Sequence, residues 1–129
     1  MRPVTGAVIW FLADAVNTAM FSEILAAFAR NAGAGPDNLV VIVLNGAGWH
    51  VARDLVVPEG IRLEFLPPYS PELQPAEHLW PLINEPLANR YFTTLADLDQ
   101  ALGERCCDLA DDDDRIKSST QFHWWPAFA

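Results

Sequence analysis

Positive charge is what this chain has least of. Eight Lys and Arg stand against 17 Asp and Glu, for a formal net charge of −9. Phosphate backbones are bound chiefly by cationic side chains that release condensed counterions, and no basic stripe is visible. The balance therefore argues against a chain that binds DNA well unaided. Four of the acids form one run, Asp111 to Asp114, which reads as a solvated loop. Cysteine is nearly absent too. Cys106 and Cys107 are adjacent, and neighbours rarely bridge each other. Two thiols cannot build a zinc site either, so they are expected as free thiols on a helix in a reducing compartment. No apolar run approaches the roughly 20 residues that a membrane-spanning helix needs. The start lacks the basic, apolar and small-residue order of a signal peptide. A cytoplasmic location with no membrane association is expected. Repeats and low-complexity linkers are missing as well. Apolar material is plentiful: 51% of residues are hydrophobic and mean hydropathy is +0.11. A chain of 129 residues with that content can pack one core, and residues 1–129 are expected to form a single domain.

The order of elements follows from periodicity. Gly6 to Val16 is rich in β-branched and aromatic residues and predicts a strand. Asn17 is a good N-cap; Met20, Phe21, Ile24, Leu25 and Phe28 recur at helical spacing, and Asn31-Ala32-Gly33 ends that helix. Leu39 to Leu44 is a continuous apolar run, as in a parallel strand covered on both faces. Asn45-Gly46-Ala47-Gly48 breaks it, and a short helical piece is expected from Trp49 to about Leu55. Ile61 to Leu66 alternates, which places Arg62 and Glu64 on the wetter face of a strand.

A loop with Pro67, Pro68, Pro71 and Pro75 follows. A helical stretch starts at Ala76, with Leu79, Trp80, Ile83 and Leu87 on one face, and Pro86 should kink or end it. Thr94 can cap a further helix whose stripe is Leu95, Leu98, Leu102 and Cys106. That helix should stop before Asp111, because its negative end repels the aspartates. The aromatic tail Gln121 to Phe128 is expected to pack back on the domain. Strand, helix, strand, short helix, strand, helix is an α/β pattern, and sites in such sheets lie at the carboxyl ends of strands. Asn45 sits at one such end, and the loop toward Glu77 leaves from the other.

Two segments are distinctive. The first is Val43-Leu44-Asn45-Gly46-Ala47-Gly48-Trp49-His50. The second runs from Leu66 through Pro67-Pro68-Tyr69-Ser70-Pro71 and Gln74-Pro75-Ala76-Glu77 to Trp80. Together they resemble the mariner-related transposases of bacterial insertion sequences, a branch of the DDE superfamily with an RNase H-like catalytic domain. The resemblance implies an α/β fold: a mixed sheet flanked by helices. It also implies a chain truncated at its N-terminus, because the strand bearing the first catalytic acid has no counterpart before Gly6.

In that family three carboxylates hold two Mg²⁺ or Mn²⁺ ions roughly 4 Å apart for DNA strand cleavage and transfer. By the resemblance Glu77 matches the third acid. Asn45 stands where the family has its second Asp, and His50 is a possible phosphate or structural contact. A neutral amide and one carboxylate should hold metal weakly, so the chain alone is expected to be inactive. Asn45→Asp alone is not expected to revive it. Without its middle strand, Leu39–Leu44 should present an open edge. That edge leads us to expect either that Gly6–Val16 shifts into the gap or that a homo-dimer or association with an intact transposase fills it, the latter also as a non-catalytic regulator.

Plain readings stand beside these. Without the family, Asn45 is a turn residue and Glu77 an acid at a helix start. Asp14 suits a solvated or capping role better than that of a replacement acid. His78 reads as structural, and His123 belongs to the tail. The pair Gly46 and Gly48 lacks the third glycine of a dinucleotide loop. Trp49, Trp124 and Trp125 are poor base-stacking candidates at this net charge, and Trp80 is expected in the core.

Overall fold

The structure is a computed structural model that describes residues 1–121. The aromatic tail from residue 122 onward lies outside them. The chain divides into two compact units. One is the continuous stretch Ala13–Gln74; the other joins Met1–Leu12 to the chain from Pro75 onward.

The continuous unit is built as its caps predict. The Asn17 side chain accepts from Met20 N at 2.9 Å and opens helix α1, Thr18–Ala32. Gly33 closes it in the left-handed region at φ 68°. The Asn38 amide donates to Gly33 O at 2.8 Å and so ties the helix end to the next strand. Strands β1, Val40–Leu44, and β2, Ile61–Phe65, pair in parallel with Val40 opposite Ile61 and Leu44 opposite Phe65. Leu25 and Ala29 of α1 and Ile61 of β2 are the buried residues of this unit's elements. Val56 N donates to Ser22 Oγ at 3.1 Å, which fixes the connecting loop on α1.

Four expectations fail in or beside this unit. Among the described residues the sheet is a two-stranded parallel pair rather than a mixed one. The stretch Gly6–Val16 is no strand, since no backbone hydrogen bond forms from Val8 to Val16 among the described residues. β propensity makes no strand without a partner to complete the ladder. Trp49–Leu55 is a pair of turns rather than a helix, with His50 N bonded to Ala47 O and Leu55 N to Ala52 O. Gly48 and β-branched Val51 disfavour helix there. Finally, β1 is not covered on both faces. Val41 is 52% exposed and Val43 49%, on the face shared with Arg62 and Glu64.

The discontinuous unit has a tight core of Leu79, Ile83, Leu109 and Ile116. Met1, Val8, Trp10, Leu82 and Leu102 pack against it. Burial pushes the Met1 amine below its ordinary value. After a 3₁₀ turn, Pro75–Leu79, the short helix α2 spans Trp80–Asn84 and gives way to a second 3₁₀ turn at Glu85–Leu87. Pro86 ends the helix as expected, having no N–H to continue it.

Thr94 caps α3, Leu95–Ala110, in a reciprocal capping box with Asp97. The stripe is displaced toward the helix's end: Leu95 is exposed, while Cys106 and Leu109 are buried. Trp80, expected in the core, is 52% exposed. The tight winding before it turns Leu79 inward instead. The aspartates also behave otherwise than expected. α3 stops at Ala110, but the run is a helix start, not a loop. Asp112 accepts from Arg115 N at 3.1 Å and caps α4, Asp113–Thr120, with Asp113 and Asp114 in its first turn. Anions suit that end of the dipole.

Both cysteines are free, Cys106 buried and Cys107 exposed. Burial pushes the Cys106 thiol up and adjacent Cys107 adds to this, while Arg105 draws it down. A thiol reagent near neutral pH is therefore expected to label Cys107 and spare Cys106. Mass spectrometry should find one adduct on the native protein and two in denaturant. Equal labelling rates on the native protein would contradict the burial of Cys106.

Candidate functional site

The loop that leaves β1 is organised around Asn45. Leu44 O accepts from Leu66 N at 2.8 Å, so β1 stays paired to its last residue. Asn45 then turns outward and its side-chain oxygen accepts from Ala47 N at 3.4 Å, a local turn in which the amide folds onto its own backbone. His50 closes the loop, its Nδ1 lying 2.9 Å from Asn45 O. A carbonyl can only accept, so Nδ1 is the donor in this bond.

The imidazole is held from two sides. The Phe21 ring of α1 lies 4.6 Å away and that of Trp49 5.8 Å away, edge-on. His50 also lines an open, mainly apolar cleft of about 350 Å³ with Val51, Ala52, Leu55, Val57, Leu63 and Phe65. Packing alone does not require the small residues of this loop. A Cβ at Gly46 or Gly48 would meet nothing within 4 Å.

Glu77 belongs to the other unit. It sits half-buried in the 3₁₀ turn Pro75–Leu79, which Leu79 anchors at 4% exposure. The loop before it is stiffened by its prolines and bent at Tyr69, whose φ is 57°. A left-handed backbone is uncommon for a bulky residue. The Tyr69 side chain is fully exposed. Neither property could be read from the sequence, where Tyr69 is one letter of a motif.

Asn45 and His50 are thus brought together by one loop, and Glu77 is presented by a separate turn. Asp14 lies exposed in the extended segment, and His78 is exposed beside Glu77. His123, Trp124 and Trp125 lie outside the described residues. Among the described residues no three His, Cys, Asp or Glu side chains gather closely enough to hold a metal ion. One carboxylate and a neutral amide already occupied by a backbone N–H do not fit a two-ion centre, which needs several anionic oxygens.

A parallel pair preceded by a helix, with the carboxyl end of β1 feeding a small-residue loop and a Pro-rich loop leading to Glu77, is a mixed α/β arrangement. Residues 1–99 match the family model described as DDE superfamily endonuclease, and the chain belongs to that family, the transposase-type nucleases of DNA recombination. A relative from Sinorhizobium fredii, known as the uncharacterized protein y4pE/y4sA, is 41% identical over 83 residues. That similarity takes in 64% of this chain and 60% of the relative, so the chain matches less than two thirds of the relative's length. No solved structure matches the chain. No helix among the described residues is long and apolar enough to cross a membrane.

Proposed function

We propose that this chain carries the second and third acid positions of a DDE transposase catalytic domain, Asn45 at the second and Glu77 at the third, and that it does not cleave DNA by itself. The observation behind this reading is the neutral Asn45 amide at the carboxyl end of β1, where the family's chemistry needs an anion. In this reading β1 and β2 belong to an RNase H-like sheet that α1 flanks. The first acid would come from a strand that is not among the described residues. Mg²⁺ or Mn²⁺ would be held weakly at Glu77, and His50 would order the Asn45 loop or touch a phosphate. At a net charge of −9 the chain would reach DNA only together with a more basic partner.

The test is a nicking assay on DNA that carries the element's ends, with Mg²⁺ or Mn²⁺. Neither the purified chain nor Asn45→Asp should nick it, because two acids still cannot fix two ions. Metal-dependent nicking by the pure chain would overturn the reading.

A second reading, a non-catalytic partner that pairs with a second copy or with an intact transposase, is favoured by the exposed valines of β1. Co-purification with an intact relative should succeed if it holds and fail for a chain without partners.

A further inference from the structure

Among the described residues β1 has one neighbour in the sheet. Val40 N donates to Gly60 O at 2.7 Å and Leu44 O accepts from Leu66 N at 2.8 Å, so Val40, Ile42 and Leu44 turn their backbone groups toward β2. Strand alternation then aims the N–H and C=O of Val41 and Val43 at the opposite edge, where they find no partner among the described residues. Beside this row, Leu39 is 63% exposed, Val41 52% and Val43 49%.

Folded proteins usually blunt such an edge with charge, proline or a bulge. β2 is blunted in that way, since Arg62 and Glu64 pair at 2.6 Å on its surface. β1 is not. From Asn38 to Ala52 there is no Asp, Glu, Lys or Arg, the longest such stretch in the chain.

These features restrict what can cover the edge. The row of free backbone groups calls for an extended chain, and the valines beside it call for apolar side chains. Two molecules that each carry −9 can approach each other closely only where charge is absent. β1 itself meets all three conditions. We propose that β1 is a self-association edge: two copies pair their β1 strands antiparallel about a two-fold axis, Val41 of one opposite Val43 of the other. The result is a four-stranded sheet, β2-β1-β1-β2. Two-fold pairing exchanges both backbone bonds of each opposed pair and leaves neither β1 edge open. This deepens the association reading above by assigning its surface and partner.

The test uses the full chain with reductant present. Sedimentation equilibrium over roughly 1 to 100 µM should show a monomer–dimer equilibrium. Hydrogen exchange at the Val41 and Val43 amides of the unaltered protein should slow as concentration rises. Val43→Pro removes an outward N–H and spares the bonds to β2. It should weaken the dimer at least about tenfold, since two interchain hydrogen bonds are lost. Val41→Lys should act in the same direction, whereas Phe11→Lys should leave dimerisation unchanged.

A chain that stays monomeric across that range refutes self-association altogether. A dimer whose Val41 and Val43 amides exchange as in the monomer, or one lost in Phe11→Lys, refutes only this surface. Neither result bears on the cleavage reading, which the nicking assay decides separately.

Discussion

Gly60→Val is expected to destabilise the Ala13–Gln74 unit by at least about 3 kcal/mol, the combined cost of left-handed strain and a backbone collision. Gly60 sits at φ 80°, where a β-branched residue is badly strained, and a Cβ there would run into the backbone N, O and Cα of Gly35. Neither obstacle can rotate aside. The same residue sets the strand register, because its carbonyl accepts from Val40 N at 2.7 Å and so starts the β1–β2 ladder. Loss of that bond would disorder the strand that delivers Asn45. Urea unfolding followed by far-UV circular dichroism should show a much lower midpoint or no cooperative transition. A midpoint equal to that of the unaltered protein would mean that Gly60 is not wedged against Gly35.

In the other unit the largest effect belongs to Ile116→Ala. Ile116 is 0% exposed and packs in the cluster with Leu79, Ile83 and Leu109. Truncating such a side chain costs about 2–5 kcal/mol, part for lost burial and part for the cavity left behind. Whole domains of this size are stable by only about 5–15 kcal/mol, so the unit would be marginal. The change should also reach Glu77, two residues from Leu79, because α4 packs against the turn that holds both. Leu95→Ala is the control. At 68% exposure it should cost under about 0.5 kcal/mol. Denaturant melts of the two variants side by side test this, and equal shifts would show that the core is misplaced.

What could be read in advance was whatever is settled by neighbours in sequence. Asn17, Gly33 and Thr94 each make hydrogen bonds within a few residues, so caps and helix limits were legible. So were β1 and β2, whose apolar patterns are local, and the two motifs that mark the family. What failed depended on distant partners. Gly6–Val16 has strand composition, yet no strand among the described residues pairs with it. Trp80 falls on the apolar face of a regular helix, but the 3₁₀ winding from Pro75 changes which face it occupies. The aspartate run is unfavourable at the end of α3 and favourable at the start of α4, and only the second makes it helical. At the candidate site the sequence supplied Asn45, His50 and Glu77. The Phe21–His50 contact that holds the loop was out of reach, since it joins residues 29 positions apart.

The division of the chain has a consequence for synthesis. Ala13–Gln74 is continuous, so all its residues are present once Gln74 has left the ribosome. Val8 and Trp10 are made first, but the side chains they pack against extend to Leu109 and Ile116. At about 5–20 residues per second, the roughly hundred residues between them take some 5 to 20 seconds to appear. Over the last part of that interval, after Gln74, a mostly apolar stretch hangs from a nascent chain whose middle is already complete. It is then the part most in need of a chaperone.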